Sequence, residues 1–364
     1  MSTRRTILLG ALLIAAAACT QLRASEAPTS TTPVAIPTGA VSPRGDRQLG
    51  FDLNEASDGD FDRAFQLARD AGMERVAFSP SWSMIETGPE EYDSAWLDIA
   101  AAYYPAREVT IDLTIMVINA NRKEFPADLM ERTFDDPLVI DRFERLLEFV
   151  FAHLPVSTLG SLNIGSELDI SFGVDRESWG EFTTFYAAIV DYVHARQPGL
   201  RIATEQTFKG ITGPARDLVA ALNTHSDLIG VSYYPLDEEG NVQDPAVVHQ
   251  DMEALVSLYP GQTIYFYQFG YPSSTFLNSS GEKQSRFMVE AFQAWDAHAD
   301  QVKLIDFTWL HDMPPADVQA IGEYYGIADR KFTEYIASLG LRTYEGEDKM
   351  AFRTLVAEAA ARGW

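Results

Sequence analysis

Cysteine is almost absent: the 364-residue chain has one, Cys19. A lone cysteine excludes an intrachain disulfide and a cysteine-built metal site. Positive charge is also scarce, with 28 Lys and Arg against 53 Asp and Glu and a formal net charge of −25. A field of that sign repels phosphate backbones and anionic lipid heads, which argues against nucleic acid as a partner and against electrostatic docking on a membrane. The histidines (His153, His194, His225, His249, His298 and His311) show no metal-ligand spacing such as HExxH. No phosphate loop, nucleotide fingerprint or serine-hydrolase elbow occurs, so neither a cofactor nor a metal is expected.

Long apolar runs are missing as well. The longest candidate, residues 7–18, follows Arg4 and Arg5 and is interrupted only by Gly10. At about twelve residues it is too short for a spanning helix, which needs roughly twenty, and it has the layout of an export signal. Ala16-Ala17-Ala18 directly precedes Cys19 and resembles a bacterial lipobox. That resemblance implies cleavage before Cys19, lipid on its thiol, and anchoring at a membrane of the cell envelope. The paired arginines leave Sec and twin-arginine export open. Thr20 carries no aspartate-type inner-membrane retention signal. Residues 19–45 are rich in Ser, Thr, Ala and Pro and have no aromatic residue, so they are expected to form a flexible tether.

From residue 46 to 364 the composition is that of a folded domain, 46% hydrophobic and 12% aromatic over the whole chain. Apolar runs at 49–53, 75–79, 109–118, 160–164, 201–204, 228–233, 263–267 and 302–308 alternate with helical periodicity. Phe61, Phe65 and Ala68 share one face of the first helical stretch; Phe143, Leu146, Leu147 and Val150 share one face of the third. Ser178 is expected to cap a helix over 179–196. Alternating strands and helices without a composition break predict a single α/β domain, a (β/α)8 barrel, with extra helical material at 314–339 in the last loop. In such a barrel, working residues stand at the C-terminal strand ends.

The fourth run ends in Asn163-Ile164-Gly165-Ser166-Glu167-Leu168-Asp169, and the seventh in Tyr267-Gln268-Phe269-Gly270-Tyr271-Pro272. Tyr233-Tyr234-Pro235 ends the sixth, Phe307-Thr308-Trp309 the eighth, and Trp82 and Glu86 follow the second. In this order the segments resemble clan A glycoside hydrolases, the endo-galactanase-like and related families among them. The resemblance spans roughly residues 47–360. It implies that Glu167 is the acid/base, that position 268 is the nucleophile, and that Tyr233 touches that nucleophile. It further implies that Trp309 floors a sugar pocket and that Trp82, Ser166, Asp169, Tyr271 and His311 stand near the ligand. Two positions depart from the family's pattern: Ser166 replaces an Asn, and Gln268 replaces the nucleophilic Glu.

A retaining glycosidase needs two carboxyls about 5–5.5 Å apart, one to protonate the leaving oxygen and one to attack the anomeric carbon. Glutamine keeps the shape of glutamate without its charge and is a very poor nucleophile. Three readings follow. One is a glycan-binding barrel at the cell surface in which retaining catalysis is lost, with Trp82, Tyr233, Gln268 and Trp309 as its platform. Another is an active glycosidase with Glu167 as acid, working by substrate assistance or by inversion, with Asp169, Glu205, Asp306 or Asp312 as base. The last is a scaffold barrel whose mouth is unused. Aromatic side chains lining a cleft beside Glu167 and Gln268 would favour sugar binding, and a mouth plugged by 314–339 would count against it.

Overall fold

The computed structural model describes residues 41–364. The expectations for Cys19, the leader and most of the tether fall outside the described residues. The chain folds as one (β/α)8 barrel. Its strands are β1 (Gln48–Asp52), β2 (Arg75–Phe78), β3 (Thr110–Asn119), β4 (Leu159–Ser166), β5 in two pieces (Ile202–Ala203 and Glu205–Thr207), β6 (Ile229–Tyr233), β7 (Ile264–Phe269) and β8 (Val302–Thr308). Each neighbouring pair is parallel, and β1 pairs with both β2 and β8. β5 closes the ring at Thr204: its first piece pairs with β4 and its second with β6. These are the strands expected from the apolar runs. Packing on both faces explains why they read as continuous rather than alternating, as β3 shows with nine consecutive buried residues from Ile111 to Asn119.

The barrel interior is polar at its base. Arg75 forms a buried ion pair with Asp112, Ser161 donates to the same carboxylate, and the Tyr267 hydroxyl donates to Ser161 at 3.0 Å. Space for these groups comes from missing side chains. A Cβ on Gly160 would lie 1.6 Å from the Arg75 guanidinium, and one on Gly50 would lie 2.6 Å from Oδ2 of Asp306.

Helices cover the outside with the predicted faces: Phe61, Ala64, Phe65 and Ala68 are buried in Phe61–Asp70, and Phe143, Leu146, Leu147 and Val150 in Pro137–His153. One cap differs from expectation. The helix Arg176–Arg196 starts earlier than Ser178, because the Asp175 carboxylate accepts from the Ser178 backbone N–H at 3.1 Å and from its hydroxyl at 2.6 Å. A carboxylate caps more strongly than a hydroxyl at a positive helix end.

The extra material after β8 forms a hairpin of two helices, Pro315–Tyr325 and Arg330–Ser338. Its apolar face does not join the main core. Val318, Ile321, Ile336 and Leu339 pack instead on Trp309 and Tyr234 at the C-terminal mouth. The hairpin is fixed on three sides. Tyr325 donates to Asn119 at 3.1 Å, Lys331 donates to Asn241 at 2.9 Å, and Ser274 donates to Glu334 at 2.6 Å. No helix among the described residues is long and apolar enough to cross a membrane.

Candidate active site

The C-terminal ends of the strands and the hairpin above them enclose a cavity of about 210 Å³. That exceeds the roughly 150 Å³ that holds a benzene ring and falls short of the 300 Å³ or more of larger ligand sites. Carboxyl groups at its walls come from Asp52 (β1), Asp112 (β3), Glu167 (after β4) and Glu205 (β5), with Ser166 and Gln268 beside them. Trp309, Tyr234 and Tyr267 contribute aromatic surface from below; Tyr325, Phe332 and Tyr335 contribute it from the hairpin. Exposed Asn121 and Ile170 at its edge mark the side on which it reaches solvent. The 315–338 hairpin therefore roofs the mouth, the arrangement expected to count against sugar binding; it leaves the cavity beneath it but no open cleft for a long glycan among the described residues.

Strand endings set each group's direction. Glu167 follows β4 in a left-handed backbone conformation, φ 54°, after Gly165 at φ 79°. For a side chain with a Cβ that conformation is uncommon and tends to mark functional positions. Its Oε1 accepts from the Ser232 hydroxyl at 2.5 Å. On β7, Gln268 has both ends of its amide engaged: Oε1 accepts from the Tyr234 hydroxyl at 2.9 Å, and Nε2 donates to Ser166 Oγ at 3.1 Å. Ser166 and Gln268 stand beside the Glu205 carboxyl at the cavity wall. Glu205 is 2% exposed, and its Oε1 has no partner. Trp309 donates its indole N–H to Asp52 at 2.6 Å.

Burial dominates the ionisation of these carboxyls. It raises Glu167 to about 7, against the Ser232 hydrogen bond and with help from the nearby Asp169 charge. Burial, and then the Glu167 charge, raises Glu205 to about 8. Asp52 goes up to about 7 for the same first reason, against its bond from Trp309. A buried carboxyl raised further by a neighbouring carboxylate holds its proton near neutral pH, as Glu205 does beside Glu167.

Glu167, Gln268, Ser166 and Trp309 are brought together as the motifs imply. The other expected contact residues stand elsewhere. Trp82 is fully buried in the short helix Trp82–Ile85, donates to Glu86 at 2.7 Å, and packs edge-on against Phe125 and Phe143. Tyr233 points out of the barrel, donating to Asp251 at 2.7 Å, and its neighbour Tyr234 makes the contact to Gln268. Tyr271 donates to the Gln243 carbonyl at 2.6 Å and stacks on Phe287. Asp169 is a clamp, accepting from the Thr207 N–H at 2.7 Å and hydroxyl at 2.6 Å. His311 is buried, its Nδ1 donating to the Asn54 carbonyl at 2.8 Å and its Nε2 accepting from Arg342; burial holds it neutral, at about 4.

Of the alternative bases, Glu205 alone reaches the cavity. Asp306 lies inside the barrel with both oxygens unpartnered, raised well above the usual range by burial and then by Asp52. Asp312 is paired with Lys349 at 2.6 Å. Sequence reasoning missed Tyr234, Asp52 and Tyr325. Strand alternation holds the signal for Tyr234, since Ser232 faces Glu167 and the next inward position is 234.

The chain matches no protein-family model and no curated protein sequence. Solved structures do match. The exo-β-1,4-mannosidase Op5Man5 from Opitutaceae bacterium strain TAV5 aligns over 91% of this chain at TM-score 0.67 and 16% identity, and the chain spans 62% of that protein. A GH5_18 protein from Streptomyces cattleya in complex with Manβ1-4GlcNAc aligns over 87% of this chain and 80% of its own, at TM-score 0.67 and 17% identity. A family 39 glycoside hydrolase from Bacteroides cellulosilyticus WH2 aligns over 88% and 66%, at TM-score 0.62 and 11% identity. The fold is that of these glycoside hydrolases. At such identities the likeness extends to the barrel and no further.

Proposed function

We propose that this barrel binds one terminal sugar unit of a glycan in its roofed cavity and has lost retaining hydrolysis. The observation that carries this is the convergence of Glu167, Glu205 and Gln268 on a single ring-sized cavity floored by Trp309 and roofed by tyrosines. Aromatic faces suit the apolar side of a pyranose, and the carboxyls and amide suit its hydroxyls. Gln268 has no carboxylate to form a glycosyl ester, so a retaining route through this position is closed. The first panel is β-mannosides, because neighbouring folds are a β-mannosidase and a Manβ1-4GlcNAc complex. Calorimetry on wild type, with hydrolysis assays on wild type and Gln268→Glu, tests the reading. Binding by an inert wild type, with hydrolysis gained in the variant, supports it. Absence of any sugar binding overturns it.

Glu205 favours a second reading, hydrolysis with inversion. Glu167 would pass its proton to the glycosidic oxygen as the C1–O bond breaks. A water would attack C1 and give its proton to Glu205, which must first be ionised, so this route requires the fraction of Glu205 that has lost the proton burial holds up to about 8. The first-formed anomer, read by NMR, must then be inverted, and Glu205→Gln must abolish turnover; a retained anomer refutes the assignment.

The lipobox resemblance at Ala16-Ala17-Ala18-Cys19 supports placing this pocket on a lipid anchor at the cell envelope. Metabolic labelling with a fatty acid should be lost in Cys19→Ser, and labelling that persists would reject the anchor.

A further inference from the structure

The walls of the cavity carry Asp52, Asp112, Glu167 and Glu205 and no Lys, Arg or His. Of these carboxylates Asp112 is neutralised by its pair with Arg75. A pocket with spare carboxylates and no counter-charge can settle in two ways: the carboxyls hold protons, or the ligand supplies the cation. Glu205 separates the two. Glu205 lines the cavity, and its buried Oε1 has no hydrogen-bond partner, so an acceptor stands unused beside Glu167 and Gln268. The net charge of −25 adds a long-range field that concentrates cations of any kind at the surface.

We propose that the sugar this cavity takes is a cationic amino sugar, whose ammonium bridges Glu205 and Glu167. This rests on the sugar-binding reading above and names its substrate class. An ammonium has three donors and a full positive charge, and its hydrogen bonds to carboxylates are roughly twice as strong as neutral ones. It fills the open acceptor on Glu205 and relieves the repulsion between the two carboxyls. The sugar ring lies between Trp309 and the hairpin tyrosines, where only its apolar faces are needed. Because burial holds Glu167 and Glu205 partly protonated near neutral pH, seating an ammonium drives their protons off, and binding releases protons to the buffer.

The test is titration calorimetry of the full chain near neutral pH with D-glucosamine, N-acetylglucosamine and glucose, repeated in two buffers of different ionisation enthalpy. Glucosamine should bind about tenfold or more tighter than either neutral sugar, with net proton release. In Glu205→Gln the preference for glucosamine over the neutral sugars should fall to about threefold or less. The buffer comparison on wild type stands by itself if that variant fails to fold. Equal or weaker binding of glucosamine, or binding without proton release, overturns the inference while neutral-sugar binding leaves the sugar-pocket reading standing. No binding by any of the three overturns both.

Discussion

Replacing Glu205 with glutamine should stabilise the protein, by an amount that depends on pH. In the folded chain burial and the Glu167 charge lift this carboxyl from an ordinary 4.5 to about 8. Below the unfolded-state value both states hold the proton, so glutamate and glutamine are near-isosteres and the difference is small. As pH rises past 4.5 the unfolded chain releases the proton and the folded chain keeps it. The folded state then binds more protons, and stability falls with pH until the folded-state value is passed. Each tenfold difference in proton affinity between the folded and unfolded chains is worth about 1.4 kcal/mol. The penalty is therefore under about 1 kcal/mol at pH 5 and has an upper bound of about 5 kcal/mol at pH 8.5. Coupling to Glu167 and local relaxation bring the expected gain at pH 8.5 to about 2–4 kcal/mol. Urea unfolding of wild type and Glu205→Gln at the two pH values measures it. A difference that is independent of pH, or a variant less stable at pH 8.5, would refute the account of Glu205 as a desolvated, partnerless acid.

Other outcomes follow from the same geometry. Asp169→Ala removes the acceptor for both the Thr207 N–H and hydroxyl. It should cost about 1–3 kcal/mol in urea unfolding, and a neutral result would deny its role as a clamp. Trp82→Phe should cost a similar amount, about 1–3 kcal/mol, yet leave sugar affinity unchanged, since Trp82 is core; selective loss of affinity would return it to the site. Tyr325→Ala opens the roof at its Asn119 latch. Stopped-flow binding should show faster association and weaker affinity, and an unchanged association rate would show that the hairpin is no barrier.

The barrel was legible because buried parallel strands advertise themselves as apolar runs, and helices with one apolar stripe separate them. The site was legible only where strand ends are rigid. Glu167, Ser166, Gln268 and Trp309 come together at the mouth because each stands at a strand's end or within one residue of it. Tyr233 and Tyr234 show the limit: one step along a strand reverses the face, so a tyrosine pair carries the right chemistry at an ambiguous address. Trp82 and Tyr271 sit past their strands, where a short helix and a loop choose the direction. The hairpin's placement was beyond periodicity, for its apolar stripe would serve equally well against the barrel's outer wall. It covers the mouth because Trp309 and Tyr234 offer an apolar patch there.

Ser166 and Gln268 both border Glu205 in the cavity. A glutamate at 268 would add a further carboxyl beside Glu205 in a pocket with no lining cation, where the Glu167 charge already raises Glu205. Glutamine there accepts from Tyr234 and donates to Ser166. Positions 166, 205 and 268 thus share one wall of the cavity, and their substitutions should couple. At pH 8.5, Gln268→Glu alone should destabilise by about 1–3 kcal/mol, through lost bonds and added repulsion. In Glu205→Gln the same change should cost little, giving a coupling energy of about 1–3 kcal/mol in the double-mutant cycle. At pH 5, where the carboxyls are protonated, the coupling should shrink to below about 1 kcal/mol. Additivity within about 0.5 kcal/mol at both pH values would mean that Gln268 and Ser166 drifted without reference to Glu205. Coupling that fades on acidification would mean that the second carboxyl moved from β7 to β5 and that the pocket was rebuilt around it.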